Sequence, residues 1–185
     1  MLALLRTPFA LLPYWWAFGF EFLGSFLLVY GFLIEPFRLD VHHEELTSDK
    51  LSRDDKITIA HLGDLHIERI TRREKLILKI LEEAKPDLIL FSGDVLNLSY
   101  VHDDYAQQQA REFLYSLHAP LGVYAVTGSP PVDPPEVFAN LVAGTEGQWL
   151  ADKPISIQFE NSTIRITCLT CTHHTDEDFA RLWHL

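Results

Sequence analysis

Short apolar runs alternate with amphipathic stretches from residue 56 onward. The runs at residues 57–62 and Leu88–Phe91 are rich in branched side chains and bounded by turn residues, which predicts strands buried on both faces. Between them, a capping box of Thr71 and Glu74 precedes apolar residues at helical spacing up to Ala84. The alternation continues with a helix, a strand and a short helix at residues 104–117, 122–127 and 136–142. This order predicts an α/β fold with a mainly parallel sheet.

The pattern changes to two adjacent strands towards the end of the chain. Residues 155–160 and 163–169 predict strands, with Asn161 and Ser162 as a two-residue hairpin connection, so we expect a second β-layer to begin here. A helical pattern starts near Asp176, and the chain stops inside it without a capping residue or a polar tail. We therefore expect a protein truncated at its C-terminus.

The amino-terminal segment is apolar enough to enter a membrane. Residues 9–34 carry one charge, Glu21, and as a helix they are long enough to cross the hydrocarbon core. Glu35, Pro36 and Phe37 follow where a signal peptide would need small residues, so we predict a retained membrane anchor over residues 1–34. The alternatives are a helix lying in the membrane interface and a soluble helix packed on the domain, with Glu21 facing water.

The stretch after the anchor has a different composition. Residues 35–55 carry ten acidic and basic side chains, few large apolar ones and no clear period. We interpret them as a linker that lets the following domain, residues 56–185, stand off the membrane.

Charge and cysteine content exclude some classes of protein. The 185-residue chain has a net charge of −11, which argues against a basic surface for nucleic acid, and we expect no nucleic-acid partner. Two cysteines, Cys168 and Cys171, provide no disulfide framework. Their spacing invites a zinc interpretation together with His173 and His174. A strand running through the cysteines would turn the thiols to opposite faces, so we expect no zinc site there.

Three polar side chains follow the first two predicted strands. Asp64 and His66 come directly after the first strand, and Asp94 comes after the second. The carboxyl ends of parallel strands are where ligands bind in open α/β sheets. One residue separates Asp64 from His66, so in an extended backbone both side chains point the same way. Two carboxylates and an imidazole suit a divalent metal, and we predict a metal site at Asp64, His66 and Asp94.

These segments resemble the calcineurin-like metallophosphoesterases, whose ordered signature is Asp-x-His, Gly-Asp and Gly-Asn-His with histidines downstream. Asp64 and His66 match the first block, and Gly93 and Asp94 match the second. The resemblance covers residues 56–174 and implies the N-terminal part of the family's α/β sandwich. With the apolar segment ahead of it, the chain is similar to membrane-anchored bacterial members. That similarity implies a single-pass protein of the bacterial cell membrane.

The chain departs from the family at the third block. Gly128, Ser129, Pro130 and Pro131 stand where Gly-Asn-His is expected, so an Asn ligand and the His that the family uses for leaving-group protonation are both absent. The resemblance implies two divalent ions of the Mn, Fe or Zn type bridged by Asp94. On this comparison the first position keeps all but one of its ligands, while the second keeps only Asp94. We name no catalytic residue besides the metal ligands.

The functional hypothesis follows from this partial match. We expect a membrane-anchored, metal-dependent hydrolase of a phosphate monoester or diester, inactive or nearly so as this fragment. The anchor suggests a lipid-linked or envelope substrate, and one of Arg69, Arg72 and Arg73 is a candidate contact for its phosphate. The alternative is a degenerate, membrane-tethered binding module that keeps the fold without catalysis.

Overall fold

The computed structural model describes residues 14–51, 56–160, 162–170 and 175–182. It separates into two compact units, Met1–His42 and His43–Leu185. The predicted division into an anchor at 1–34, a linker at 35–55 and a domain at 56–185 stays a prediction.

The first unit is built around one long apolar helix. Helix α1 covers Tyr14–Leu33, and a 3-10 turn follows at Glu35–Phe37. The segment Trp15–Phe37 is long and apolar enough to cross a membrane, and none of its most apolar stretch is buried within the protein. Signal sequences and core helices share this length and composition. Residues 38–51 of the predicted linker contain no helix or strand.

A four-stranded parallel sheet forms the centre of the second unit. Its strands lie in chain order and are β1 Ile59–Leu62, β2 Leu88–Phe91, β3 Val123–Ala125 and β4 Gly147–Trp149. The predicted α/β fold with a parallel sheet is confirmed. The prediction that the first strand is buried on both faces is wrong, because β1 begins at Ile59, lies at the edge of the sheet and leaves Ile59 exposed. Strand β4 was missed because three residues, one of them glycine, form no recognisable β-pattern.

Three helices connect these strands, and their ends follow the capping residues. Helix α2 covers Arg72–Ala84 and has the predicted capping box at Thr71. Helix α3 covers Asp104–Tyr115, where Asp103 accepts a hydrogen bond from the Ala106 N–H at 2.7 Å. Helix α4 covers Pro135–Val142 and starts with the proline that suits a first turn. The α3 pattern was predicted to reach 117, but it ends two residues earlier.

A two-stranded antiparallel hairpin covers part of the sheet. Strands β5 Ile155–Phe159 and β6 Ser162–Ile166 are joined through residues 160 and 161, and Glu160 has a φ of 49°. The predicted connection at Asn161 and Ser162 is therefore wrong by one residue, because Ser162 pairs with Phe159. One buried cluster joins the hairpin to the sheet, and its members are Leu88, Tyr124, Leu150, Ile157 and Ile166. A short helix, α5 Thr175–Leu182, follows.

The start of α2 depends on a buried carboxylate. Glu74 is only 1% exposed and accepts hydrogen bonds from the Thr71 N–H at 2.7 Å and from the Arg73 Nε–H at 2.7 Å. Burial alone would raise the pKa of Glu74, yet the hydrogen bonds from Thr71 and Arg73 lower it below the ordinary value of 4.5. The ionised form of Glu74 therefore stabilises the fold near neutral pH.

We expect Glu74→Gln to lower the free energy of unfolding by about 1–3 kcal/mol at pH 7, because an ionised acceptor is lost. The full chain in detergent micelles would be unfolded with urea and followed by circular dichroism. The folded-state pKa is the lower one, so the advantage of wild type is complete above the unfolded pKa and disappears as the pH falls through the folded pKa.

Glu83→Gln is the matched control, because Glu83 is 67% exposed and pairs with Lys79 across 3.7 Å. Its stability should change by less than about 0.5 kcal/mol. Equal losses in the two variants would contradict the role assigned to Glu74.

Candidate metal centre

The chain segments that follow β1 and β2 continue side by side beyond the sheet. The Asp64 N–H donates to the Gly93 carbonyl at 3.0 Å, and the His66 N–H donates to the Asp94 carbonyl at 3.0 Å. Ile67 then forms an isolated parallel bridge with Leu96. This extended ladder fixes the register of the two ligand-bearing segments against each other.

All three predicted ligands have a left-handed backbone. The φ angles are 59° at Asp64, 47° at His66 and 53° at Asp94. The prediction that an extended backbone aligns Asp64 with His66 is therefore wrong in its reason, because the segment coils instead. Non-glycine residues in this region are strained by about 1–3 kcal/mol each, and such residues concentrate at functional sites.

The three side chains nevertheless converge. One ligand atom each from Asp64, His66 and Asp94 can be chosen so that all lie within 4.8 Å of one another. The His66 Nε2 and Asp64 Oδ1 atoms are 2.9 Å apart. The other ring nitrogen, Nδ1, lies 3.2 Å from the Leu96 carbonyl oxygen, which accepts a hydrogen bond when Nδ1 is protonated. That tautomer leaves Nε2 free to bind a metal.

The centre opens to solvent on one side and is supported on the other. The Asp64 side chain is 80% exposed and the His66 side chain 40%. Asp94 is half-buried, and its Oδ1 accepts hydrogen bonds from the Ser129 N–H and from the Ser129 hydroxyl, both at 2.8 Å. Ser129 thus contacts the Asp94 carboxylate directly, although the sequence indicated only that an Asn was missing.

Asp133 is the residue that sequence reasoning missed. It is 2% exposed, and its carboxylate accepts three backbone N–H groups, from Asp94 at 2.6 Å, Val95 at 3.1 Å and Gly128 at 2.9 Å. Burial raises the pKa of Asp133, while the three N–H groups act in the opposite direction. The sequence offered one indication of this role, because Asp133 is an acidic residue within a proline-rich turn.

The arginines after His66 have protein partners. Arg73 donates from Nη2 to the Leu65 carbonyl and from Nε to Glu74, so it connects the cap of α2 to the peptide between Asp64 and His66. Arg69 lies over the Tyr105 ring, with 5.6 Å from its guanidinium carbon to the ring centre. Of the candidate phosphate contacts, Arg73 is thus engaged in supporting the site.

Among the residues of the zinc interpretation, the structure describes only Cys168. Strand β6 ends at Ile166, so the prediction of a strand through Cys168 is wrong, and the argument about opposite faces does not apply to it. Burial raises the pKa of the Cys168 thiol. The remaining residues of the zinc interpretation, Cys171, His173 and His174, lie outside the described residues, and so does His184.

Two glycines let the loops after β2 and β3 touch. A Cβ on Gly93, whose φ is 92°, would lie 1.9 Å from the Gly128 backbone nitrogen. A Cβ on Gly128 would lie 2.3 Å from Asp94 Oδ1. Neither neighbour can move away independently, because both belong to the backbone or to the centre itself.

We expect Gly93→Ala to lower the free energy of unfolding by more than about 4 kcal/mol, because a backbone collision adds to the strain of positive φ. Gly144→Ala is the control: its φ is 77°, but the nearest atom to its Cβ is the movable Tyr115 hydroxyl at 2.7 Å. Urea unfolding of both full-length variants in detergent micelles would compare them. Equal losses of unfolding free energy in the two variants would show that the positive φ alone, without the backbone collision, accounts for the effect.

The ligand chemistry and the comparisons with known proteins agree. Two carboxylates and an imidazole fit a divalent ion. Residues 57–129 match the calcineurin-like phosphoesterase family. An uncharacterized metallophosphoesterase of Aquifex aeolicus (strain VF5) is 28% identical over 110 residues, which cover 58% of this chain and 40% of that relative. The match thus spans less than half the length of the relative. The predicted resemblance to the calcineurin-like phosphoesterases is confirmed over residues 57–129.

Proposed function

We propose that Asp64, His66 and Asp94 bind a divalent metal ion of the Mn, Fe or Zn type. The observation that carries this proposal is the convergence of their ligand atoms within 4.8 Å on two loops held in register. The contact of His66 Nδ1 with a backbone carbonyl supports it, because metal-binding histidines are commonly oriented in this way. Both Ser129 donors engage Asp94 Oδ1, which leaves the other carboxylate oxygen of Asp94 available for the ion.

From this centre we infer that a protein containing this domain hydrolyses a phosphate ester in a metal-dependent reaction. A bound ion supplies positive charge for the ester oxygens and lowers the pKa of bound water. The chain's own residues hold the ligands: Ser129 fixes the Asp94 carboxylate, and Arg73 fixes the Leu65 carbonyl beside the other two. The exposure of Asp64 leaves room for a substrate phosphate on the solvent side.

We further propose that α1 anchors this domain to a bacterial cell membrane as a single span. Apart from the single charge at Glu21, the helix is apolar around its circumference, and a helix of that kind is typical of a membrane span. A phosphate ester attached to a lipid is the substrate class that such placement favours. The domain division proposed above follows from the same helix.

A second candidate function is a binding module without catalysis. The observation that favours it is the loop at Ser129, Pro130 and Pro131, where the prolines have no side-chain proton donor and no backbone N–H. A domain with this loop would keep one ion and the fold while lacking the group that protonates a leaving alcohol.

Metal binding is tested by titrating the full chain in detergent micelles with Mn²⁺ in a calorimeter. We expect saturable binding that Asp64→Asn and Asp94→Asn each weaken by more than about 100-fold, since direct ligands exceed the effect of outer partners. Asp104→Asn, an equal charge change in the first turn of α3, should bind as wild type does. Binding that is absent, or equal in all four proteins, would contradict the metal centre.

Catalysis is tested with a chromogenic aryl phosphodiester at saturating Mn²⁺. Turnover that Asp94→Asn reduces by about 10²-fold or more would support the enzyme hypothesis and contradict the expectation that this fragment is inactive, because the carboxylate would hold the ion that stabilises the transition state. Asp104→Asn should then retain wild-type turnover. Normal Mn²⁺ binding without turnover above the Asp94→Asn background would exclude catalysis by this chain, as expected both of the inactive fragment and of the binding module.

A further inference from the structure

We propose that Asp133 is a positioning residue that fastens the loops after β2 and β3 together and thereby sets the geometry of Asp94 in the metal centre. The inference rests on the proposed metal site and concerns a residue that lies beyond the matched segment 57–129. In this proposal Asp133 acts through Asp94, because its carboxylate accepts hydrogen bonds from the backbone N–H groups of Asp94, Val95 and Gly128.

The first step is the distribution of its hydrogen bonds. Asp133 Oδ2 accepts from the Asp94 N–H and from the Gly128 N–H, so one oxygen joins the two loops. The second oxygen, Oδ1, accepts from the Val95 N–H. A carboxylate supplies acceptors on both sides, whereas a carboxamide would place an NH₂ group against at least one of these N–H donors.

The second step is the conformation that those hydrogen bonds hold. Asp94 has a φ of 53°, which L-residues adopt only when the surroundings impose it. Asp133 binds the N–H groups of Asp94 and of the residue after it, so the carboxylate constrains the peptide on both sides of the Asp94 Cα. Without that constraint the Asp94 side chain would not be held towards Asp64 and His66.

The third step explains how Asp133 reaches this position. The N–H groups of Val132 and Asp133 both donate to the Ser129 carbonyl at 2.9 Å, so residues 129–133 form a tight turn. Pro134 and Pro135 then start α4 and fix the exit of the turn. This proline-rich loop, which lacks the family's Asn and His, therefore brings the chain back to Asp94. There Ser129 donates to the Asp94 carboxylate, and Asp133 accepts from the Asp94 backbone N–H.

The test compares Asp133→Asn with a matched variant, Asp103→Asn, in the full chain in detergent micelles. Asp103 also accepts a backbone N–H, from Ala106 at 2.7 Å, but at the start of α3. We expect Asp133→Asn to weaken Mn²⁺ binding by about 10–100-fold, as loss of an outer partner does, and to change the Mn²⁺ paramagnetic resonance spectrum. Asp103→Asn should change neither, because an Asn oxygen can still accept the Ala106 N–H and caps a helix about as well as Asp.

The outcomes separate this inference from the proposed function. If wild type binds Mn²⁺ and Asp133→Asn binds it with the same affinity and spectrum, the positioning role is wrong and the metal centre stands. If wild type binds no Mn²⁺, the metal centre is wrong and the inference fails with it. Equal losses of affinity in the Asp133 and Asp103 variants would show a general effect of stability and would also overturn the positioning role.

A measurement on wild type covers the case in which Asp133→Asn does not fold. Amide hydrogen exchange read by mass spectrometry should show the Asp94, Val95 and Gly128 amides exchanging slowly and at one common rate, because the same carboxylate accepts all three. Fast exchange of Gly128 beside protected Asp94 and Val95 would mean that Asp133 does not fasten the two loops, and would overturn the inference.

Discussion

The geometry of the centre depends on the parallel ladder that continues past the ends of β1 and β2. Its hydrogen bonds, from Asp64 to Gly93 and from His66 to Asp94, fix two coiled segments in one register although neither is a strand. The backbone around Asp64, His66 and Asp94 has positive φ angles, and this ladder, the Asp133 carboxylate and the Arg73 guanidinium all form hydrogen bonds with it. With the backbone in this conformation, the side chains of Asp64, His66 and Asp94 converge.

Two buried carboxylates stabilise the segments that follow β1 and β2. Glu74 fixes Arg73, which reaches the peptide between Asp64 and His66, while Asp133 fixes the peptides around Asp94. Both sit behind the solvent-exposed ligands and satisfy donors that would otherwise remain unpaired in the interior. This arrangement allows several carboxylates to lie close together in an acidic chain. The buried carboxylates of Glu74 and Asp133 accept hydrogen bonds from N–H groups, and the carboxylate of Asp64 faces solvent.

Much of this arrangement follows from the sequence, because local signals specify it. The capping box at Thr71, the strand Leu88–Phe91 and the strand-end position of Asp64, His66 and Asp94 are all local patterns, and the structure has each of them. The coiled backbone at the ligands, the short β4 and the role of Asp133 were not predictable in the same way. Each depends on a partner more than 20 residues away, such as Gly128 against Gly93 or Asp133 against Asp94. A pattern read along the chain carries no information about such contacts.

The chain order of the sheet also bears on how the protein is made. Because β1, β2, β3 and β4 are neighbours in both sequence and space, each strand can pair with the one synthesised just before it. The two ligand-bearing loops are complete once the ribosome has released residue 96, and Asp133 joins them within the next 37 residues. The edge of the sheet that carries Asp64, His66 and Asp94 can therefore assemble during translation, before the β5–β6 hairpin is synthesised.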